Sequence, residues 1–242
     1  MAEFLASKEW ATFLQILPTI PFETWETIWS TAVATLLALV IGLPLGVCLV
    51  TGEQGGVRPL PRWVMSVLNA FINLLRSVPF LILMIIVIPL SRLLVGTSIG
   101  TPASIVPLVI ASFPFVARLV ETSIREVDAG VIEAAQSMGA TPLQIITKVM
   151  IPESMPSLIS NVTIATTTIM GYGAMAGIIG GGGLGKIAIN YGYNKYNYAV
   201  MLIAVIFIVI LVQIFQSLGT WLAVRSDKRL TRTRRRKKSK NK

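Results

Sequence analysis

Few side chains in this sequence could do chemistry, and they sit in short stretches. The 242 residues contain no histidine and one cysteine, Cys48. Histidine acid–base work, Ser-His triads, His-ligated metals and an intrachain disulfide are thereby excluded. The acids Glu121, Glu126, Asp128, Glu133 and Glu153 share their region with Arg118 and Arg125. Mixed charge of this kind marks a solvated or docking surface rather than a catalytic carboxylate pair. Gly180 to Lys186 imitates a phosphate loop, but Ile187 stands where Ser or Thr should hold the metal. An apolar helix precedes it in place of a strand. No nucleotide, cofactor or metal is therefore expected on this chain. The glycines suit a tight turn or close packing instead.

Polar residues inside apolar stretches are the second group. Arg76 interrupts a long apolar run, and Asn69 and Asn73 lie on the same helix face, with Ser77 next in sequence. A cation at membrane depth is costly and marks a functional position, unless it reaches the cytoplasmic face. The polar face is read as either a helix contact or a solute path. Thr166, Thr167 and Thr168 suit helix packing, with Thr167 also a path candidate. Met170 and Met175, beside Tyr172, could line a path for an apolar solute, since a thioether is soft and adaptable.

The elements that must position these groups are membrane spans. The composition is 54% hydrophobic and 13% charged, with mean hydropathy +0.73. That charged share is about half the usual ~25%. Residues 27–52, 93–117 and 154–185 carry no charge. Arg76 divides residues 63–91 into pieces too short to span, since a span needs roughly 17–25 residues. They read as one broken segment kinked near Pro79. A turn at Gly96–Thr101 delays the next helix to about Pro102. Further spans are expected at about 156–178 and from Tyr196 to Val224, with a polar, aromatic loop between them. Five spans put the termini on opposite sides. The 18 residues from Arg225 to Lys242 hold 11 Lys or Arg, so the positive-inside rule places that end in the cytoplasm and the N-terminus outside.

Between these spans lies an island of helix signals. Asp128 is an N-cap candidate. Gly139 suits a left-handed helix end. Thr141, Pro142 and Gln144 form the pattern of a capping box with proline in the first turn. Pro152 is expected to end the second helix. The island reads as helix, glycine elbow, helix.

Glu133-Ala134-Ala135, then Gly139-Ala140, Ile146, Val149 and Pro152, is similar to the EAA loop of ABC-importer permeases. Further stretches resemble the permeases of methionine-uptake importers: Asn73 to Phe80, Gly96 to Gly100, Pro114 to Arg118, and Gly171 to Tyr193. The resemblance covers about residues 24–221. It implies an all-α membrane protein of the type I importer fold, with five transmembrane helices and a cytoplasmic coupling loop at about 122–153. Residues 1–23 would be an extracytoplasmic segment and 222–242 a basic cytoplasmic tail beside anionic lipid; nucleic acid is not expected as its partner.

The resemblance further implies a homodimer in a bacterial cytoplasmic membrane. It would have two cytoplasmic ATPase subunits that hold ATP and Mg, and an extracytoplasmic binding protein that delivers methionine. Glu133, Ala134, Ala135, Gly139, Ala140, Ile146 and Pro152 would then couple to the ATPase. The chain itself would not be an enzyme. An ABC permease for another small solute is the alternative. An ion-coupled transporter would show inverted repeats and intramembrane acids. No repeat is found, and the one acid between Glu26 and Glu121 is Glu53, in a loop.

Overall fold

The computed structural model describes residue 12 and residues 14–227, all of whose regular elements are helical. The expectations for the extreme N-terminus and for most of the basic tail lie outside the described residues.

Helix α1 (Ile20–Thr51) turns small residues inward and large ones outward. Ser30, Thr31, Ala34, Thr35, Ala38, Gly42 and Gly46 are buried, while Leu36, Leu37, Val40 and Ile41 are exposed. Lipid tails are as apolar as leucine, so tight helix contact in a membrane depends on small residues that let backbones approach. Helix α4 (Thr101–Arg125) lies along this small-residue stripe, and Ala34 and Ala38 share a core with Leu108, Val116 and Val120.

Helices α2 (Arg62–Ser77) and α3 (Phe80–Val95) are joined at 106°, the broken segment expected from Arg76 and Pro79. Val78 between them is extended (φ −77°, ψ 127°). The proline ring disfavours helical geometry at the residue before it and has no N–H to continue the ladder. With this pair taken as one span, the described residues hold up to five spans.

Helix α5 (Ala129–Ser137) and helix α6 (Pro142–Ile145) form the island. Pro152 does not end the second helix. A π turn at Ile146–Met150 carries α6 directly into α7 (Ile151–Ala176), and Pro152 sits in the first turn of α7. The shifted π register accommodates a residue that cannot donate to the carbonyl four positions back. The span therefore starts near Ile151, earlier than 156.

The glycine-rich stretch after α7 forms a 3-10 turn at Gly177–Ile179. The polar region expected as a loop is instead a short helix, α8 (Leu184–Ile187), followed by a second π turn at Ala188–Tyr193. The last span, α9 (Tyr198–Ser226), starts two residues later than expected. It packs on α7, and α8 fills the gap between α9 and the start of α1.

Candidate functional site: coupling loop and broken span

The island is held by its own side chains. The Asp128 carboxylate accepts from the Gly130 amide at 2.8 Å and caps α5. The Thr141 amide donates to Gln144 Oε1 at 2.9 Å while Thr141 Oγ1 accepts from the Gln144 amide, a reciprocal capping box. Gly139 has φ +77°, and a Cβ there would meet nothing within 4 Å. Backbone conformation, not space, therefore requires glycine at the elbow.

The two sides of this loop differ. Ala135 is buried, Ala140 and Ile146 pack against the main core, and Ile145 is fully buried. Glu133, Ala134 and Gly139 are exposed. Beside them Met138 and Leu143 are 81% and 69% exposed. These two apolar side chains were not singled out by sequence; apolar residues flanking the glycine elbow were the available signal.

Behind the loop lies a charged knot. Arg125 makes a bidentate pair with Glu53, at 2.6 and 3.0 Å, and also bonds Glu121. Arg118 bonds Glu121 at 2.7 Å and donates to the side-chain oxygens of Asn69 and Asn73 at 2.8 and 2.9 Å. Donation from Arg125 holds the Glu53 carboxyl below the usual glutamate range. The knot ties the α1–α2 loop, α2 and α4 together at one end of the molecule. Asn69 and Asn73 therefore serve a helix contact.

Arg76 lies beyond the knot, at the end of α2, with an exposed side chain. It lines two adjoining cavities. One, of about 360 Å³, is polar, with Arg118, Glu121 and Arg125. The other, of about 280 Å³, is walled by Val78, Phe80, Leu83, Phe115 and Tyr172. Phe80 and Tyr172 stack at 4.1 Å with their planes 11° apart. Ser77 Oγ donates to the Asn73 carbonyl. Thr167 donates to the Thr163 and Ile164 carbonyls of its own helix, as a packing threonine does. Met175 is 45% exposed. Met170 does not line a path. It is fully buried with Leu184, Ile187 and Val200, because that face of α7 meets α8 and α9.

At the opposite end, an internal carboxylate fills the phosphate-loop imitation. The Gly183 amide donates to Glu26 Oε2 at 3.0 Å and the Leu184 amide to Thr27 Oγ1 at 2.9 Å. A Cβ on Gly182 would collide with Thr101 and Glu26. Lys186 pairs with Glu23 at 2.8 Å, and that hydrogen bond pushes the lysine pKa up. The glycines thus serve close packing.

Comparison with known proteins places this geometry. Residues 42–232 match the family described as "Binding-protein-dependent transport system inner membrane component". The chain is 50% identical over 209 residues to a probable D-methionine transport system permease protein of Vibrio cholerae, covering 85% of this chain and 91% of the relative. It is 51% identical over 166 residues to a methionine import system permease protein of Bacillus subtilis, covering 69% and 75%. A solved structure of the MetNI methionine ABC transporter, in an inward-facing conformation, superposes with a TM-score of 0.86 at 41% identity, covering 88% of this chain and 99% of that one. An amino acid ABC transporter solved with histidines gives 0.72 at 20% identity, which is a likeness of fold. The fold is thus that of type I ABC-importer permeases, and the chain belongs to the family of inner-membrane components of binding-protein-dependent transport systems.

Proposed function

We propose that this chain is the membrane permease of a methionine importer and works as a homodimer on two cytoplasmic ATPase subunits. The observation that carries this reading is the island. Its outer surface offers Glu133, Ala134, Gly139, Met138 and Leu143, while its inner surface is fastened to the main core. Helix α6 continues through the π turn into α7 without a break. A push on the loop is therefore delivered to a span. ATP and Mg bind on the partner subunits, and closure of the ATPase pair tilts the spans from inward-open to outward-open. A binding protein delivers methionine at the outer end. The solute passes along the two-fold axis, beside the faces that carry Arg76, Ser77, Thr167, Tyr172 and Met175. The N-terminus lies outside the cytoplasmic membrane and the basic tail lies inside, near anionic headgroups.

The test is gentle purification from native membranes with mass spectrometry, then methionine uptake by the purified assembly in liposomes. A stoichiometric ATPase that is lost when Glu133 and Gly139 are changed, together with ATP-driven methionine uptake, is expected. Purification without an ATPase would overturn the coupling role. An intact assembly that ignores methionine but carries another solute would overturn the substrate.

A further inference from the structure

We infer that Arg76, at the break between α2 and α3, binds the carboxylate of the transported solute, and that the Phe80–Tyr172 stack receives its apolar side chain. The inference rests on the amino-acid importer reading and adds the site.

Three observations converge. The first is charge. Arg118 and Arg125 both have carboxylate partners, at 2.7 Å and at 2.6 Å. Arg76, beside them in the same polar cavity, has no ion pair among the described residues. Glu121, the carboxylate in that cavity, is already shared by Arg118 and Arg125, so the exposed Arg76 guanidinium has donors to offer an anion. A carboxylate matches its fork geometry.

The second is the wall. On its other side Arg76 opens onto Phe80, Leu83, Phe115 and Tyr172. The volume of about 280 Å³ falls just below the ~300–1,000 Å³ of drug-sized sites, which suits a small solute. One cation beside a stacked aromatic pair, in a cavity whose exposed lining is more polar than apolar, matches a small molecule with one carboxylate and one short apolar chain. Phosphate, polyamines and sugars do not match it.

The third is the broken backbone. Helix α2 ends at Ser77, and Pro79 has no N–H to give the carbonyls of its last turn. These carbonyls form the negative end of a helix next to Arg76 and can face the solute's ammonium group. The same break supplies opposite partners for both charges of a zwitterion. Interrupted spans elsewhere in membrane transport place helix ends at a solute in this way.

The test is concentration-dependent L-methionine uptake into liposomes by the complete assembly: permease, ATPase and binding protein. Arg76→Gln should lower uptake at limiting methionine roughly ten- to a hundredfold, the range for losing a charge-assisted bond. Arg76→Lys should recover part of it. Phe80→Ala should weaken uptake of methionine more than that of alanine. Arg92→Gln, at the far end of α3, should leave uptake unchanged. Co-purification of the ATPase and the melting temperature show that each variant is assembled. Unchanged uptake by an assembled Arg76→Gln variant would overturn the inference while leaving the importer reading intact. Absence of methionine uptake by the unmodified assembly would instead overturn the importer reading.

Discussion

Gly139 is held by conformation alone, and that makes it a clean probe. Any other residue at φ +77° carries a left-handed penalty of roughly 1–2 kcal/mol, with asparagine and aspartate among the least affected. Gly139→Asn and Gly139→Asp impose similar strain and similar bulk, so a difference between them reports charge at the docking surface. We expect Gly139→Asn to retain most ATP-driven uptake. Gly139→Asp should lose at least roughly tenfold, equivalent to about 1.4 kcal/mol of docking. The measurement is the ratio of uptake to ATP hydrolysis in liposomes. Equal ratios for the two variants would show that the elbow does not meet the ATPase.

The elements differ in how far the sequence discloses them. The caps at Asp128 and Thr141 were legible because a cap depends on residues within one turn of each other. The broken span was legible because Arg76 and Pro79 mark it locally. The knot was not. Asn69 and Asn73 point to Arg118, 49 and 45 positions away, and nothing in either stretch names the other. Met170 was misjudged for a related reason, since a helix's solvent or core face is set by what packs on it. The element-scale prediction concerns Glu53, which fastens the α1–α2 loop to the end of α4. Arg125 lowers the Glu53 pKa below its ordinary 4.5. The pair's contribution is therefore complete above that value and disappears as pH falls through the lowered one. Both side chains are over 40% exposed, so solvent screening limits the pair to about 1 kcal/mol or less. Glu53→Gln should lower the melting temperature of the purified protein by a constant few degrees across the neutral range. The gap to wild type should close in strong acid. A gap that widened on acidification would mean that the carboxylate is not the stabilising partner.

At the scale of the molecule, two ends can be told apart without reference to the tail. Arg125 binds Glu53 at one end, where Arg58 and Leu143 line one cavity, so the α1–α2 loop and the island share a side. At the other end Glu26 meets Gly183, Lys186 meets Glu23, and the Gly100 amide bonds the Gly180 carbonyl. The first end carries Arg58, Arg62, Arg118, Arg125, Lys148 and Arg225, with Arg76 in the same cavity as Arg118 and Arg125, and the second carries Arg92, Lys186 and Lys195. Orientation follows the Lys and Arg bias and is little affected by acids. The bias favours the island end as cytoplasmic even without residues 228–242. A chain truncated after Asp227 should therefore insert the same way round as the full chain. Cys48 is the sole cysteine and is partly buried. In a Cys48→Ser background, Ser137→Cys should react with a membrane-impermeant maleimide only in inside-out vesicles. Lys195→Cys should react only in right-side-out ones. Both patterns should survive truncation. Mixed labelling of the truncated chain alone would assign orientation to the tail, and labelling of Ser137→Cys in right-side-out vesicles of the full chain would place the coupling loop outside, away from any cytoplasmic ATPase.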